Sequence, residues 1–126
     1  MSKCILVVDD ELEFIELVQY RLQPRDYKIV AATNSTEALN QTWQHSPDVI
    51  ITDLLLPDLD GLTLCEILQR DELTRKIPII MVTAVGSDVT RYSAQVAGAA
   101  QFFSKPVDFG RLKQAVDGLI EGRAVT

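Results

Sequence analysis

The sequence has only one histidine and two cysteines among its 126 residues. Cys4 and Cys65 lack the short spacing of metal ligands, so they indicate reduced thiols in a cytosolic protein, and neither is a good candidate for catalysis. His45 has no second histidine near it in the sequence, and we assign it no role. These scarcities argue against disulfide cross-linking, cysteine chemistry and histidine catalysis.

The chain also lacks a glycine-rich phosphate loop, a long apolar segment and an excess of basic residues. Gly86 and Gly98 are isolated, which argues against a nucleotide-binding loop. Because no apolar run can span a bilayer and no signal peptide opens the chain, we expect a cytoplasmic protein without a membrane partner. The formal net charge of -6 argues against direct binding of nucleic acid and favours protein partners.

Short apolar runs alternate with helical stripes along the whole chain. Residues 1–126 are long enough for one domain, with its core at about 3–122 and a tail or linker stub at 123–126. Strands are expected at Lys3 to Val8, Tyr27 to Ala32, Asp48 to Thr52, Ile77 to Val82 and Ala100 to Phe103. Helices are expected at Glu11 to Gln23 (closed by Pro24), Ser35 to His45, Leu62 to Arg70, Ser87 to Val96 and Asp108 to Glu121. This alternation predicts an α/β fold, a doubly wound five-stranded parallel sheet in the flavodoxin-like order 2-1-3-4-5 with helices on both faces.

Five polar residues stand at the far ends of apolar runs. Asp9 and Asp10 follow CILVV, Asp53 follows VIIT, Thr83 follows IIMV, and Lys105 follows FFS. Because ligands of open α/β sheets sit outside the carboxyl ends of parallel strands, we expect these residues to meet. Each residue taken alone has a plainer interpretation as a helix cap, a turn residue or a solvated lysine. Their joint placement predicts a site for a divalent cation and a phosphoryl group.

The residue types define the chemistry expected there. Mg²⁺ prefers oxygen ligands and takes one or two carboxylates, so Asp10 and Asp53 are candidate direct ligands and Asp9 a candidate ligand through water; Mn²⁺ can substitute. The Asp53 carboxylate can attack phosphorus while the metal and Lys105 neutralise charge, which gives an acyl phosphate. Thr83 is a candidate switch because its hydroxyl would reach a phosphoryl oxygen only after phosphorylation.

These residues lie in motifs that resemble the receiver domain of two-component response regulators, of the chemotaxis-regulator-like kind. The resemblance runs from Lys3 to about Gly122 and rests on ILVVDDE, DVIITDLLLPDLDGLTLCEIL, PIIMVTA and GAAQFFSKP. It implies that Asp53 accepts a phosphoryl group from a histidine kinase, a phosphotransfer protein or a small phosphodonor. It also implies that the backbone carbonyl of Leu55 joins the Mg²⁺ ligands.

The resemblance implies further roles around the site. Lys105 and the backbone of Ala84 would contact the phosphoryl group, and a cis peptide bond would join Lys105 to Pro106. Phe102 matches an aromatic position that moves inward when Thr83 turns toward phosphate, and a phenylalanine should favour the buried position. Packing alone explains Phe102 equally well, since alternation along an edge strand buries one residue of a phenylalanine pair on each face.

The face formed by the fourth helix, the fifth strand and the fifth helix is the expected output surface. Its polar residues are Asp88, Arg91, Tyr92, Gln95, Gln101, Lys113 and Asp117. They fit a phosphorylation-dependent homodimer, a surface for a downstream protein or output domain, or a merely solvated face.

Two other classes of function remain open. An aspartyl-phosphate phosphohydrolase of the haloacid dehalogenase-like class needs a second acid two residues after its nucleophile, where this chain has Leu55. A degenerate receiver would bind proteins without phosphorylation, although this chain has all five site residues. The chain is expected to be no enzyme beyond handling its own phosphoryl group. The apolar Leu55 and Val85 cannot orient a hydrolytic water, so a long-lived acyl phosphate is expected.

Overall fold

The computed structural model describes residues 3–22 and 27–125. Its strands are β1 (Lys3–Val8), β2 (Tyr27–Ala32), β3 (Val49–Thr52), β4 (Ile79–Thr83) and β5 (Gln101–Ser104). Its helices are α1 (Leu12–Leu22), α2 (Ser35–His45), α3 (Gly61–Arg70), α4 (Asp88–Ala97) and α5 (Phe109–Val125). Gln23 and Pro24, expected to end the first helix, lie outside the described residues, as does Thr126. The alternation of strands and helices is the predicted one.

Most of the described element boundaries lie within one residue of those expected, and two differ by more. β4 begins at Ile79 rather than Ile77, because the Ile77 amide donates to the Thr74 carbonyl at 3.0 Å and Pro78 has no amide hydrogen. Residues 123–125, expected to form a tail, continue the helix α5 to Val125. Helical periodicity weakens at that end of the sequence, so the pattern of apolar residues did not mark the true end.

The five strands form one parallel sheet in the order β2-β1-β3-β4-β5, which confirms the predicted topology. Alternate residues of β1 face opposite sides of this sheet. Ile5 and Val7 pack with residues of α1 and α5, whereas Leu6 and Val8 pack with residues of α2 and α3. Burial of both faces explains why the strands read as continuous apolar runs.

A smaller cluster of buried side chains, which we call the α4 cluster, consists of Leu54, Met81, Ala94 and Phe102. Leu54 directly follows Asp53, and Ala94 lies on α4. Phe103, beside Phe102, packs against the opposite side of the sheet with the α1 and α5 residues. The α4 cluster therefore joins the loop after β3 to α4 and β5.

Both cysteines are present as free thiols, Cys4 partly buried and Cys65 buried. Burial raises the pKa of the Cys65 thiol to about 11 and also raises the pKa of Cys4. In the part of the chain that the structure describes, no helix combines the length and apolar character needed to cross a membrane.

Candidate functional site

The site lies at the carboxyl edge of the sheet and is fixed by the last hydrogen bonds between strands. Its backbone amides donate one residue beyond β1, β3 and β5. The bonds run from the amides of Asp9, Asp53 and Lys105 to the carbonyls of Ala32, Val8 and Thr83, at 3.0, 2.9 and 2.8 Å. Three residues far apart in sequence are thereby held at one place by the sheet itself.

Three carboxylates meet at this edge. Asp9, Asp10 and Asp53 each offer an oxygen atom within 4.8 Å of the others. Asp9 is 0% exposed and Asp53 is 6% exposed, whereas Asp10 is exposed to solvent. Clustered carboxylate oxygens with one open side are the hard donors that Mg²⁺ prefers, so the donor set fits this ion.

The Lys105 ammonium neutralises part of this negative charge. Its Nζ lies 2.7 Å from Asp9 Oδ2, 3.0 Å from Asp53 Oδ2 and 3.1 Å from Glu11 Oε1. Burial by itself would lower the pKa of Lys105, but the hydrogen bonds to Asp9 and Asp53 outweigh it and raise the pKa. Burial raises the pKa of Asp9, and the bond from Lys105 offsets that effect only in part.

The structure adds two residues to the site that the sequence did not reveal. Glu11 contacts Lys105, and the Phe14 ring centroid lies 4.5 Å from Lys105 Nζ. The position of Glu11 directly after Asp9 and Asp10 in the sequence could have indicated that it belongs to the site. Phe14 belongs to the apolar stripe of α1, and helical periodicity does not distinguish a core residue from a neighbour of the site.

The other predicted site residues flank this centre. Thr83 is fully buried, and its Oγ1 accepts a hydrogen bond from the Val85 amide at 3.3 Å. Ala84 is exposed beside it. The Leu55 amide donates to Asp53 Oδ1 at 3.2 Å, and the Leu55 side chain is 57% exposed. The peptide bond between Lys105 and Pro106 is cis.

The loop after Asp53 is held by the ends of two helices. Asp58 accepts hydrogen bonds from the Ser35 and Thr36 amides at the start of α2, at 2.8 and 2.9 Å. A Cβ atom on Gly61, the first residue of α3, would lie 2.3 Å from the Asp53 carbonyl oxygen. Only glycine allows α3 to begin this close to the backbone of Asp53.

The switch candidate Phe102 is buried in the α4 cluster, with 8% of its surface exposed. One residue assigned to the output surface lies elsewhere. Asp117 accepts a hydrogen bond from the Tyr27 hydroxyl at the start of β2, the opposite edge strand from β5. Asp117 therefore belongs to the far side of α5, because a helix presents residues of one sequence segment to several directions.

Comparison with known proteins matches the chain to the family model of the response regulator receiver domain over residues 5–117. The alkaline phosphatase synthesis transcriptional regulatory protein PhoP of Bacillus subtilis is 37% identical over 106 residues, which are 84% of this chain and 43% of PhoP. The response regulator PleD of Caulobacter vibrioides is 35% identical over 108 residues, 86% of this chain and 24% of PleD. The chain thus spans less than half the length of either relative.

Solved structures give the same result over nearly the whole chain. The signal receiver domain of a signal transduction histidine kinase from Syntrophus aciditrophicus is 30% identical, with a TM-score of 0.89 over 96% of this chain and 92% of that one. A response regulator receiver domain protein from Clostridium thermocellum is 27% identical, with a TM-score of 0.87 over 98% of both chains. The chain therefore belongs to the receiver-domain family of two-component response regulators.

Proposed function

We propose that this receiver domain accepts a phosphoryl group on Asp53 and stores it as an acyl phosphate. The observation that carries the proposal is the Lys105 ammonium, held between Asp53 at 3.0 Å and Asp9 at 2.7 Å. In the transfer, a carboxylate oxygen of Asp53 forms the new P–O bond as the P–N bond of a donor phosphohistidine breaks. The electron pair of the broken bond returns to the imidazole nitrogen, and Lys105 offsets charge on the phosphoryl oxygens.

The carboxylates around Lys105 would also hold Mg²⁺. Asp10, Asp53 and the backbone carbonyl of Leu55 would bind the ion directly, with Asp9 acting through water and Mn²⁺ as a substitute. When bound, the ion would neutralise negative charge on the transferring group. Supporting this assignment, three carboxylates contact the Lys105 ammonium and that of Asp10 lies close to those of Asp9 and Asp53, which leaves an excess of hard, negatively charged oxygen donors.

The signal would leave the site through Thr83 and Phe102. The Thr83 hydroxyl and the backbone of Ala84 would bind the phosphoryl oxygens, which changes the environment of the α4 cluster. The partners would be proteins. A histidine kinase or phosphotransfer protein in the cytoplasm would donate the phosphoryl group. A downstream protein, an output domain or a second copy of the chain would bind at the face of α4, β5 and α5. This role makes the domain a signalling module that turns over only its own phosphoryl group.

The test is phosphorylation with acetyl phosphate or phosphoramidate in the presence of Mg²⁺, followed by intact mass. The parent chain should gain one phosphoryl group, and Asp53→Asn should gain none. Asp10→Asn or removal of Mg²⁺ by EDTA should slow the gain strongly. An adduct retained by Asp53→Asn would overturn the assignment, and an inert parent chain would leave the phosphorylation-independent binding module as the function.

Association of two copies is tested separately. Light scattering should give a larger mass when the chain is bound to a beryllofluoride phosphate mimic than when it is not. An unchanged monomer mass would remove the homodimer from the proposal and would leave the transfer chemistry intact.

A further inference from the structure

Lys105 has a fourth neighbour besides its three carboxylates. Its Nζ lies 4.5 Å from the centroid of the Phe14 ring, within the range of a cation–π contact. The Phe14 ring in turn lies 6.1 Å from the Phe109 ring, and the guanidinium carbon of Arg21 lies 5.4 Å from that second ring. Two neighbouring aromatic rings, tilted by 33° to each other, are therefore flanked by two cations, one of which is the ammonium of the site.

A cavity of about 230 Å³ opens on this side of the site. Phe14 and Phe109 line it together with Leu17, Pro106 and Val107, and its acidic lining residues are Glu11 and Glu13. Lys105 also lines this cavity, with its ammonium 4.5 Å from the Phe14 ring centroid. Without the ring, water in the cavity would have more room beside the ammonium.

We propose that Phe14 is a positioning residue for phosphoryl transfer, whose ring holds the Lys105 ammonium beside Asp53. This inference rests on the proposed function. An ammonium has three N–H donors, and three carboxylates already contact it. The face of the ring attracts the positive charge without requiring one of these donors. Phe14 therefore competes neither with the acids nor with an arriving phosphoryl oxygen.

The contacts of Lys105 differ in how easily an arriving phosphoryl group can displace them. Glu11 is 68% exposed, so solvent screens its ion pair and makes it the easiest to give up. The contact with Asp53 weakens as that carboxylate is consumed by the new bond. The contacts with Asp9 and Phe14 are unaffected by either change, so the buried acid and the ring together keep Lys105 in place throughout the transfer.

A plain core role for Phe14 makes a different prediction. The ring is half-buried and packs against the apolar cluster of α1 and α5. Leucine would serve that packing nearly as well, since it is a good helix former of related volume. Leucine has no ring face, however, so Phe14→Leu separates the two roles, and Phe14→Tyr keeps both.

The experiment compares these two variants with the parent chain in two measurements. The first is the NMR signal of the Lys105 Cε methylene in lysine-labelled protein, with and without Mg²⁺, assigned by Lys105→Arg. The ring current should move this signal upfield in the parent and in Phe14→Tyr but not in Phe14→Leu. The second is the initial rate of phosphorylation by acetyl phosphate, which should fall about 3- to 10-fold in Phe14→Leu, as loss of a cation–π contact implies, and recover in Phe14→Tyr.

Leu17→Ala is the matched control, because Leu17 lines the same cavity on α1. It should leave both the Lys105 signal and the rate unchanged. A parent-like signal or rate in Phe14→Leu overturns the proposal, as does an equal loss of rate and thermal stability in both Phe14 variants. A parent chain that acquires no phosphate overturns the proposed function itself, an outcome distinct from a difference confined to the variants.

Discussion

The guanidinium carbon of Arg91 lies 4.8 Å from the centroid of the Phe102 ring. Arg91 Nη1 also lies 3.5 Å from the Phe102 carbonyl oxygen. Arg91 was assigned from the sequence to the output surface, as a partner for intermolecular ion pairs. Arg91 is exposed in the structure, and it also contacts the buried ring of Phe102, the switch candidate.

Replacing Arg91 should therefore make the packing of the Phe102 ring less stable. We expect Arg91→Ala to lower the free energy of unfolding by about 0.5–1 kcal/mol, the contribution of an exposed cation–π contact. Urea denaturation measures this loss, and the Phe102 ring signals in NMR should show greater exposure. Arg91→Lys, which keeps the charge, should lose less. A stability and a Phe102 spectrum that both match the parent would contradict a restraining role.

Gly61→Ala should disturb the site through the backbone. The added Cβ would lie 2.3 Å from the Asp53 carbonyl oxygen and 3.0 Å from Leu54 Cα, so α3 or the loop must shift. We expect a loss of about 1–3 kcal/mol in the free energy of unfolding, as for overpacking elsewhere, together with slower phosphorylation.

The matched control for this change is Gly118→Ala in α5. Apart from the adjacent residues and the backbone of α5 itself, no atom lies within 4 Å of the position that its Cβ would take, so alanine should stabilise the helix by about 0.5–1 kcal/mol. If both alanine variants were equally stable, the tight approach at Gly61 would have no energetic consequence.

The contribution of Asp58 should depend on pH. The Ser35 amide, with help from Thr36, holds the pKa of Asp58 well below its ordinary value of 3.8. A carboxyl whose folded pKa is depressed stabilises the fold above its ordinary pKa, and this stabilisation is lost as pH falls through the folded value. Asp58→Asn should therefore unfold at a lower temperature than the parent at pH 7, and the difference should shrink below pH 3.8.

Thermal unfolding followed by circular dichroism across this acidic range provides the measurement. Glu72→Gln removes another exposed carboxylate, in the turn after α3, and serves as the control. A difference between Asp58→Asn and the parent that stayed constant down to the lowest pH would assign the effect to shape rather than to charge.

The acyl phosphate should be long-lived. Leu55 and Val85 are 57% and 39% exposed beside the site, and neither side chain can orient a hydrolytic water. After removal of the phosphodonor, intact mass followed over time should show slow loss of phosphate from the parent. Leu55→Gln should accelerate this loss, because an amide can hold water. Complete loss from the parent within seconds would rule out a protective role for these side chains.

The sheet and its order could be predicted from sequence because both faces of the central strands β3 and β4 are covered. When both faces are buried, an apolar run such as Val49–Thr52 clearly predicts a strand. The parallel arrangement of the strands follows from their alternation with helices. The same geometry brings Asp9, Asp53 and Lys105 to one edge, so their proximity follows from topology without any knowledge of side-chain conformations.

Contacts that depend on the direction of a side chain could not be predicted from the sequence pattern. Phe14 and Arg91 each lie on a helix whose periodicity gives a face but no specific neighbour. Asp117 was placed on the wrong face of α5 for the same reason, since it bonds to Tyr27. Long side chains can reach several positions, and tertiary packing selects among them.

The site is also the last row of hydrogen bonds of the sheet, through the amides of Asp9, Asp53 and Lys105. These bonds join β1 to β2, β3 to β1 and β5 to β4, and none of these three pairs of strands can slide without first breaking one of them. We therefore expect a change of charge at Asp53 to alter side chains and connecting loops while the strands keep their register. In the proposed switch, the sheet would then be a fixed frame of reference, against which a partner would recognise a small displacement of a loop as a distinct state.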